Sequence, residues 1–176
     1  MPCHNGTTMP HPILSLSAAD AEDDPRLLQA LLDLNNADAE ALSFLTPGRL
    51  HHLLRHAFLA RRIGGAEGLL LAFDQAAEYD SPNFLWFRAR LPRFVYVDRV
   101  VVAACARRHG HARRLYQELL GLARQAGHDT VVCEVNADPP NPVSDAFHAG
   151  FGFSELGVGR LDGGRKTVRY LRRTIR

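Results

Sequence analysis

Arg93-Phe94-Val95-Tyr96-Val97-Asp98-Arg99-Val100-Val101-Val102-Ala103-Ala104-Cys105-Ala106-Arg107-Arg108-His109-Gly110-His111-Ala112-Arg113-Arg114 is the most informative run of the chain. Residues 93–102 are dominated by β-branched and aromatic side chains, which fit a pleated, half-buried strand. After a short connection, Ala112, Leu115, Leu119 and Leu122 recur on one face of a helix spanning Gly110 to Gln125, and Gly127 is placed to stop it. A strong strand therefore runs into a helix that begins at a glycine among arginines. The first turn of a helix has unpaired N–H groups and the positive end of the dipole. A glycine there lets a ligand approach the main chain closely. Arg107, Arg108, Arg113 and Arg114 add positive charge. The combination reads as a site for phosphate or pyrophosphate. It is neither a Walker loop nor a Gly-x-Gly-x-x-Gly turn.

Working outward, residues 1–11 are polar, hold two prolines and are expected to be a disordered tail, leaving 12–176 as a single domain. Ile13 to Leu16 reads as a short strand. Pro25 to Leu34 reads as a helix, and a second helix starts at Thr46-Pro47, with an N-cap and an N1 residue, and runs to about Ala57. Phe58–Ile63 and Gly68–Phe73 form a predicted hairpin. Residues 74–92 read as a loop whose aromatic run, Asn83-Phe84-Leu85-Trp86-Phe87, is core or pocket wall. A strand at 130–136, a short helix at 144–149 and a hairpin of 153–160 with 166–175 complete the chain. This order indicates an α/β or α+β fold on one mixed sheet.

The 176 residues suffice for one full hydrophobic core. Apolar residues at 46% and charged residues at 23% exclude a wholly disordered, collagen-like or coiled-coil chain. No apolar run approaches the roughly 20 residues that span a bilayer, and no secretory signal is evident. A cytoplasmic protein without membrane partners is expected. Net charge is +2, with seven acids in residues 18–40 and seven bases in residues 160–176, which reads as two oppositely charged solvated faces. That balance, with no exposed aromatics among the bases, argues against nucleic acid as a partner. Cys3, Cys105 and Cys133 are widely spaced and odd in number, so neither a disulfide framework nor a zinc site is expected. His51, His52 and His56 cluster without a third ligand placed beside them, and no metal is expected.

Two motifs carry a family resemblance. Arg107-x-x-Gly110-x-Ala112 resembles the pyrophosphate loop of the GNAT acyltransferase superfamily, Arg/Gln-x-x-Gly-x-Gly/Ala. Asn141-x-x-Ser144-x-x-Phe147-His148-x-x-x-Gly152-Phe153 is similar to the same superfamily's Asn-x-x-Ala-x-x-Leu-Tyr-x-x-x-Gly-Phe. With Tyr79 to Phe84 and Tyr96 to Arg99, the stretch looks like a GNAT branch of predicted acetyltransferases. The chain departs from the pattern in two places. Pro139-Pro140 adds two residues before Asn141, and His148 stands where tyrosine is usual.

The resemblance implies a mostly antiparallel sheet with a central parallel splay flanked by helices. It implies acetyl-CoA as co-substrate and a small-molecule or peptide amine as acceptor, with a homodimer common among relatives. The main chain of Val100, Val101 and Val102 is then expected to pair with the pantetheine arm. The N–H groups of Arg107, Arg108, His109, Gly110, His111, Ala112 and Arg113 are expected to hold the pyrophosphate, with Asn141 beside the pantetheine. Glu134 is the expected base, and His148 the expected acid toward the departing thiolate. Tyr96, Asp98 and Asn136 are expected in the acceptor pocket, with Asp98 an alternative base or an ion-pair partner of Arg99. A non-catalytic acyl-CoA-binding module is the alternative to an enzyme.

Overall fold

Ser17 and Asp20 form a reciprocal capping box. The Asp20 main-chain N–H donates to Ser17 Oγ, and the Ser17 N–H donates to Asp20 Oδ2 at 2.8 Å. This pair starts a short helix that the sequence reading missed. The computed structural model describes residues 11–39 and 42–175. In chain order the elements are β1 (Ile13–Ser15), α1 (Ala18–Asp23), α2 (Pro25–Asn36), α3 (Pro47–His56), β2 (Leu59–Ile63) and β3 (Gly68–Asp74). There follow α4 (Pro82–Arg88), β4 (Val95–Val102), α5 (His111–Gln125), β5 (Thr130–Asp138), α6 (Pro142–Gly150), β6 (Ser154–Leu161) and β7 (Lys166–Thr174). The expected tail at 1–11 lies outside the described residues except for His11, whose carbonyl accepts from Arg114 at 2.8 Å.

Seven strands hydrogen-bond in the order β1-β2-β3-β4-β5-β7-β6. Strands β1–β2, β2–β3, β5–β7 and β6–β7 pair antiparallel, and β4–β5 pair parallel. The parallel register consists of Val95–Val131 and Tyr96–Val132. Both strands continue beyond that point, but no further pair joins them among the described residues. This is the splay that the resemblance implied.

The fold divides into two compact units, residues 1–72 with 99–119 and residues 73–98 with 120–176. The first buries Leu31, Leu50, Leu53, Ile63, Leu69 and Leu115. Arg99 is also buried here. It donates to Asn35 Oδ1 at 2.7 Å and to Ser43 Oγ at 3.2 Å, while its neighbour Asp98 accepts from Tyr79 at 2.5 Å. Adjacent strand residues point to opposite faces, which gives these two side chains different hydrogen-bond partners.

The second unit is built around aromatic rings. Phe84 lies 5.7 Å from both Phe94 and Tyr96, and Trp86 stacks on Tyr170 at 4.0 Å. Two glycines on β6 make room for that stack. A Cβ on Gly157 would meet Trp86 at 2.9 Å, and one on Gly159 would collide with the Tyr170 hydroxyl. Helix α4, inside the segment read as a loop, supplies Phe84 and Phe87 to this core. Cys133 is a buried free thiol.

Candidate active site

In the first unit, the main chain leaves β4 through a tight turn at Ala104–Ala106 and enters α5 at His111. Arg108 and Gly110 both have positive φ, +66° and +75°. That conformation curls the main chain, and glycine adopts it without steric cost. A Cβ built on Gly110 meets nothing within 4 Å, so the space above this residue is open. Residues 107–110 are exposed. The Arg107 guanidinium is braced on its own loop by the Val102 carbonyl at 3.1 Å and by Asp38 at 2.7 Å. His109 Nδ1 lies 3.2 Å from the Ala106 carbonyl. His111 is buried, and burial, then the nearby Arg114 charge, holds its pKa below the ordinary histidine value. A neutral ring there leaves the positive field to the arginines and the helix end. Open space over a glycine, a curled main chain and surrounding cations fit a pyrophosphate.

In the second unit, Glu134 stands on β5 directly opposite Tyr170 of β7. Residues directly opposite on antiparallel strands share a face. Asn83 of α4 joins them. Its Nδ2 donates to Glu134 Oε1 at 2.9 Å, and its Oδ1 accepts from the Tyr170 hydroxyl at 3.1 Å. Glu134 Oε2 is buried and has no hydrogen-bond partner. Burial, then the charge of Asp98, raises the Glu134 pKa to about 7, while hydrogen bonding from Tyr96 and Asn83 pulls the other way. Tyr96 is fully buried, and burial together with the Glu134 charge pushes its hydroxyl well above the ordinary range. Three of the expected residues, Tyr96, Asp98 and Glu134, thus come together. A carboxyl that changes protonation near neutral pH, with one oxygen uncommitted, is suited to accept a proton.

The remaining expected residues are placed differently. Asn136 is buried on the same strand face as Glu134, and its carbonyl accepts from the Asn141 N–H at 3.2 Å. The Asn141 side chain caps α6 by accepting from the Ser144 N–H at 3.1 Å. His148 is buried on α6, with Phe147 and Phe153 edge-on at 5.3 Å each. Its Nδ1 lies 2.7 Å from the Ser144 carbonyl, so the proton resides on Nδ1. Burial lowers its pKa, so the ring is neutral at pH 7. Asn83 and Tyr170 were not singled out as functional. Ser81-Pro82 followed by Phe84 and Phe87 at i, i+3 spacing was a usable sign of a short helix carrying Asn83.

Residues 49–153 match the sequence model of the acetyltransferase (GNAT) family, more than half of the chain. The chain belongs to the GNAT acetyltransferase family. Solved structures agree on the fold. A ribosomal-protein-alanine N-acetyltransferase from Brucella melitensis is 22% identical, with 93% of this chain and 99% of that one covered and a TM-score of 0.67. The ribosomal-protein alanine N-acetyltransferase from Escherichia coli is 17% identical, with 94% of each chain covered and a TM-score of 0.66. A chain of a NatC complex solved with Gag peptide and CoA is 12% identical, with 96% and 100% covered and a TM-score of 0.69. No curated protein matches in sequence.

Within this GNAT chain, both recognised motifs fall inside the matched region. The pyrophosphate-loop motif is the exposed turn around Gly110. The Asn141 motif is the capped start of α6 and the buried turn that follows it. Among the described residues no cluster of three or more His, Cys, Asp or Glu is placed to hold a metal.

Proposed function

We propose that this GNAT protein transfers an acetyl group from acetyl-CoA to the primary amine of a small molecule or peptide, with Glu134 as general base. The observation that carries the reading is the Glu134 carboxyl, with its pKa near 7, one oxygen clamped and the other buried without a partner. The open, positively framed main chain at Gly110 fits the pyrophosphate of the co-substrate. Arg107 to Arg113 would hold it through N–H groups and charge, and Val100 to Val102 would hold the pantetheine arm through their main chain. When bound, acetyl-CoA supplies an acetyl thioester, an acyl donor already activated toward amines.

The difficulty left to the protein is the amine. A lysine-like ammonium is neutral in only about one part in two thousand at pH 7, a handicap of roughly 4–5 kcal/mol. Glu134 Oε2 takes the ammonium proton, and the nearby Asp98 carboxylate favours the cation beside it. Tyr96 and Asn136 line the same strand faces and bound the acceptor. A thiol of ordinary pKa near 8.5 is a tolerable leaving group without a dedicated acid. His148 is therefore assigned to packing and to orienting α6, since a neutral ring with its proton on a carbonyl is a poor donor. Two of the similar structures are N-acetyltransferases named for ribosomal-protein substrates, which supports including peptide amines among acceptors.

Thiol release from acetyl-CoA across a panel of small amines and peptide N-termini tests the proposal. Acceptor-dependent release is expected from wild type. CoA binding without release for any acceptor would instead mark a non-catalytic binding module.

A further inference from the structure

We propose that Asn83 is a positioning residue. Its amide, held at the far end by the Tyr170 hydroxyl, clamps Glu134 Oε1 and so commits Oε2 to proton transfer. The inference rests on Glu134 being the base.

The geometry is a chain of fixed contacts. An amide has one donor end and one acceptor end, and the carboxylate, which only accepts, takes the donor end and leaves Oδ1 to the phenol. The carboxylate accepts from Nδ2 at 2.9 Å, and the phenol donates to Oδ1 at 3.1 Å. Tyr170 is in turn fixed by the Trp86 ring stacked on it at 4.0 Å and by the Phe87 edge at 5.2 Å. Trp86 lies one turn after Asn83 on α4, with the Arg90 guanidinium 4.0 Å over its ring. Glycine at 157 and 159 is what admits the two large rings. Helix α4 therefore docks by stacking and presents Asn83 at a set distance from β5. Without the clamp Oε1 loses its amide partner, and the Tyr96 hydrogen bond alone is left to orient the carboxyl. A base within a few tenths of an ångström of its target depends on such support.

The groups facing Glu134 come from every element packed on it. Asp98 and Tyr96 lie on β4, Asn83 on α4 and Tyr170 on β7, with Cys133 beside it on its own strand. Arg90 acts on Tyr170, and Tyr79 acts on Tyr96 and Asp98. Asn83 and Tyr96 both hydrogen-bond the carboxyl, and of the two only the Asn83 amide has no titrating proton. Its removal subtracts a hydrogen bond without adding or removing charge.

The test is the carbon-13 titration of the glutamate carboxyls in wild type, Asn83→Ala and Tyr170→Phe, with the Glu134 signal assigned by its loss in Glu134→Gln. Wild type is expected to titrate near 7. Asn83→Ala loses a bond that favours the carboxylate, so its titration moves to higher pH. Tyr170→Phe keeps the stacked ring and loses only the hydroxyl, so it moves the same way by less. In turnover, Asn83→Ala is expected to lower kcat about tenfold with the KM for acetyl-CoA within twofold of wild type. Glu134 titrating near 7 but unmoved in both variants would overturn the clamp and leave the base standing. If Asn83→Ala does not fold, an unmoved titration in Tyr170→Phe overturns it alone. Glu134 titrating like an ordinary glutamate would remove the base itself, and the inference with it.

Discussion

The loop around Gly110 and the cluster around Glu134 solve opposite problems. The loop offers main-chain N–H groups and arginines at the surface, and a Cβ on its glycine meets only open space. The cluster withdraws a carboxyl from water, sets a second carboxylate near it and raises its pKa to about 7. In the proposed function, one region binds an anion and the other takes up a proton. Exposed main-chain donors keep their strength without tuning, whereas a base must be matched to the pH at which it works. The loop's chemistry is therefore local in sequence. The cluster's chemistry depends on groups brought from four elements.

The largest expected effect separates the two regions outright. Glu134→Gln should cut kcat by 10²–10⁴, the usual range for a general base. A carboxylate that must be deprotonated gives a rate that rises with pH through about 7 and then levels. The variant should lose that limb and climb at higher pH instead, following the fraction of neutral amine. CoA affinity should stay within twofold. Kinetics across pH with calorimetric CoA binding checks both halves. A wild-type pH profile would remove Glu134 as base.

The loop should fail in the complementary way. Gly110→Asp sets a carboxylate in the open space and adds about 1–2 kcal/mol of strain at a left-handed position. CoA affinity should fall tenfold or more, while the limb near pH 7 persists at saturating acetyl-CoA. A melting curve separates strain from lost binding, since strain alone lowers stability without changing the affinity of the folded fraction. Unchanged CoA binding would detach the pyrophosphate from this turn.

The contrast also explains what could be read before the fold was known. A strand, a turn and a helix in succession are encoded by periodicity and by glycine, so the 93–125 segment was legible almost to its ends. Glu134 was reachable because alternation along a strand assigns faces. Asn83 and Tyr170 lie 51 and 36 residues from Glu134. No local pattern reports contacts of that separation. Helix α4 was hidden for another reason. It has only seven residues, its cap residue Ser81 makes no side-chain hydrogen bond, and its aromatic residues favour strands as readily as helices. The charge of His148, the expected acid, was not legible for a third reason, its burial. Spacing placed the residue on α6, but only packing against Phe147 and Phe153 and the Ser144 carbonyl decide its charge.

The smallest expected effect is the most discriminating within the cluster. Asp98→Asn keeps an oxygen acceptor for the Tyr79 hydroxyl, now 2.5 Å away, and removes one negative charge facing Glu134. The two carboxyls repel when both are ionised, so Asp98 raises the Glu134 pKa. Removing the repulsion lets Glu134 ionise more easily, and the limb should move below its wild-type position. At pH 6 the variant should therefore retain more of its maximal rate than wild type does. At pH 8, where Glu134 is ionised in both, a less basic carboxylate should slow kcat by only about twofold to fivefold. Were Asp98 the base instead, the same substitution would abolish turnover at every pH, and Glu134 would become the neighbour that tunes it. A single kcat/KM profile from pH 5.5 to 9 thus assigns the two carboxylates their roles, because the competing assignments differ in the sign of the change at low pH.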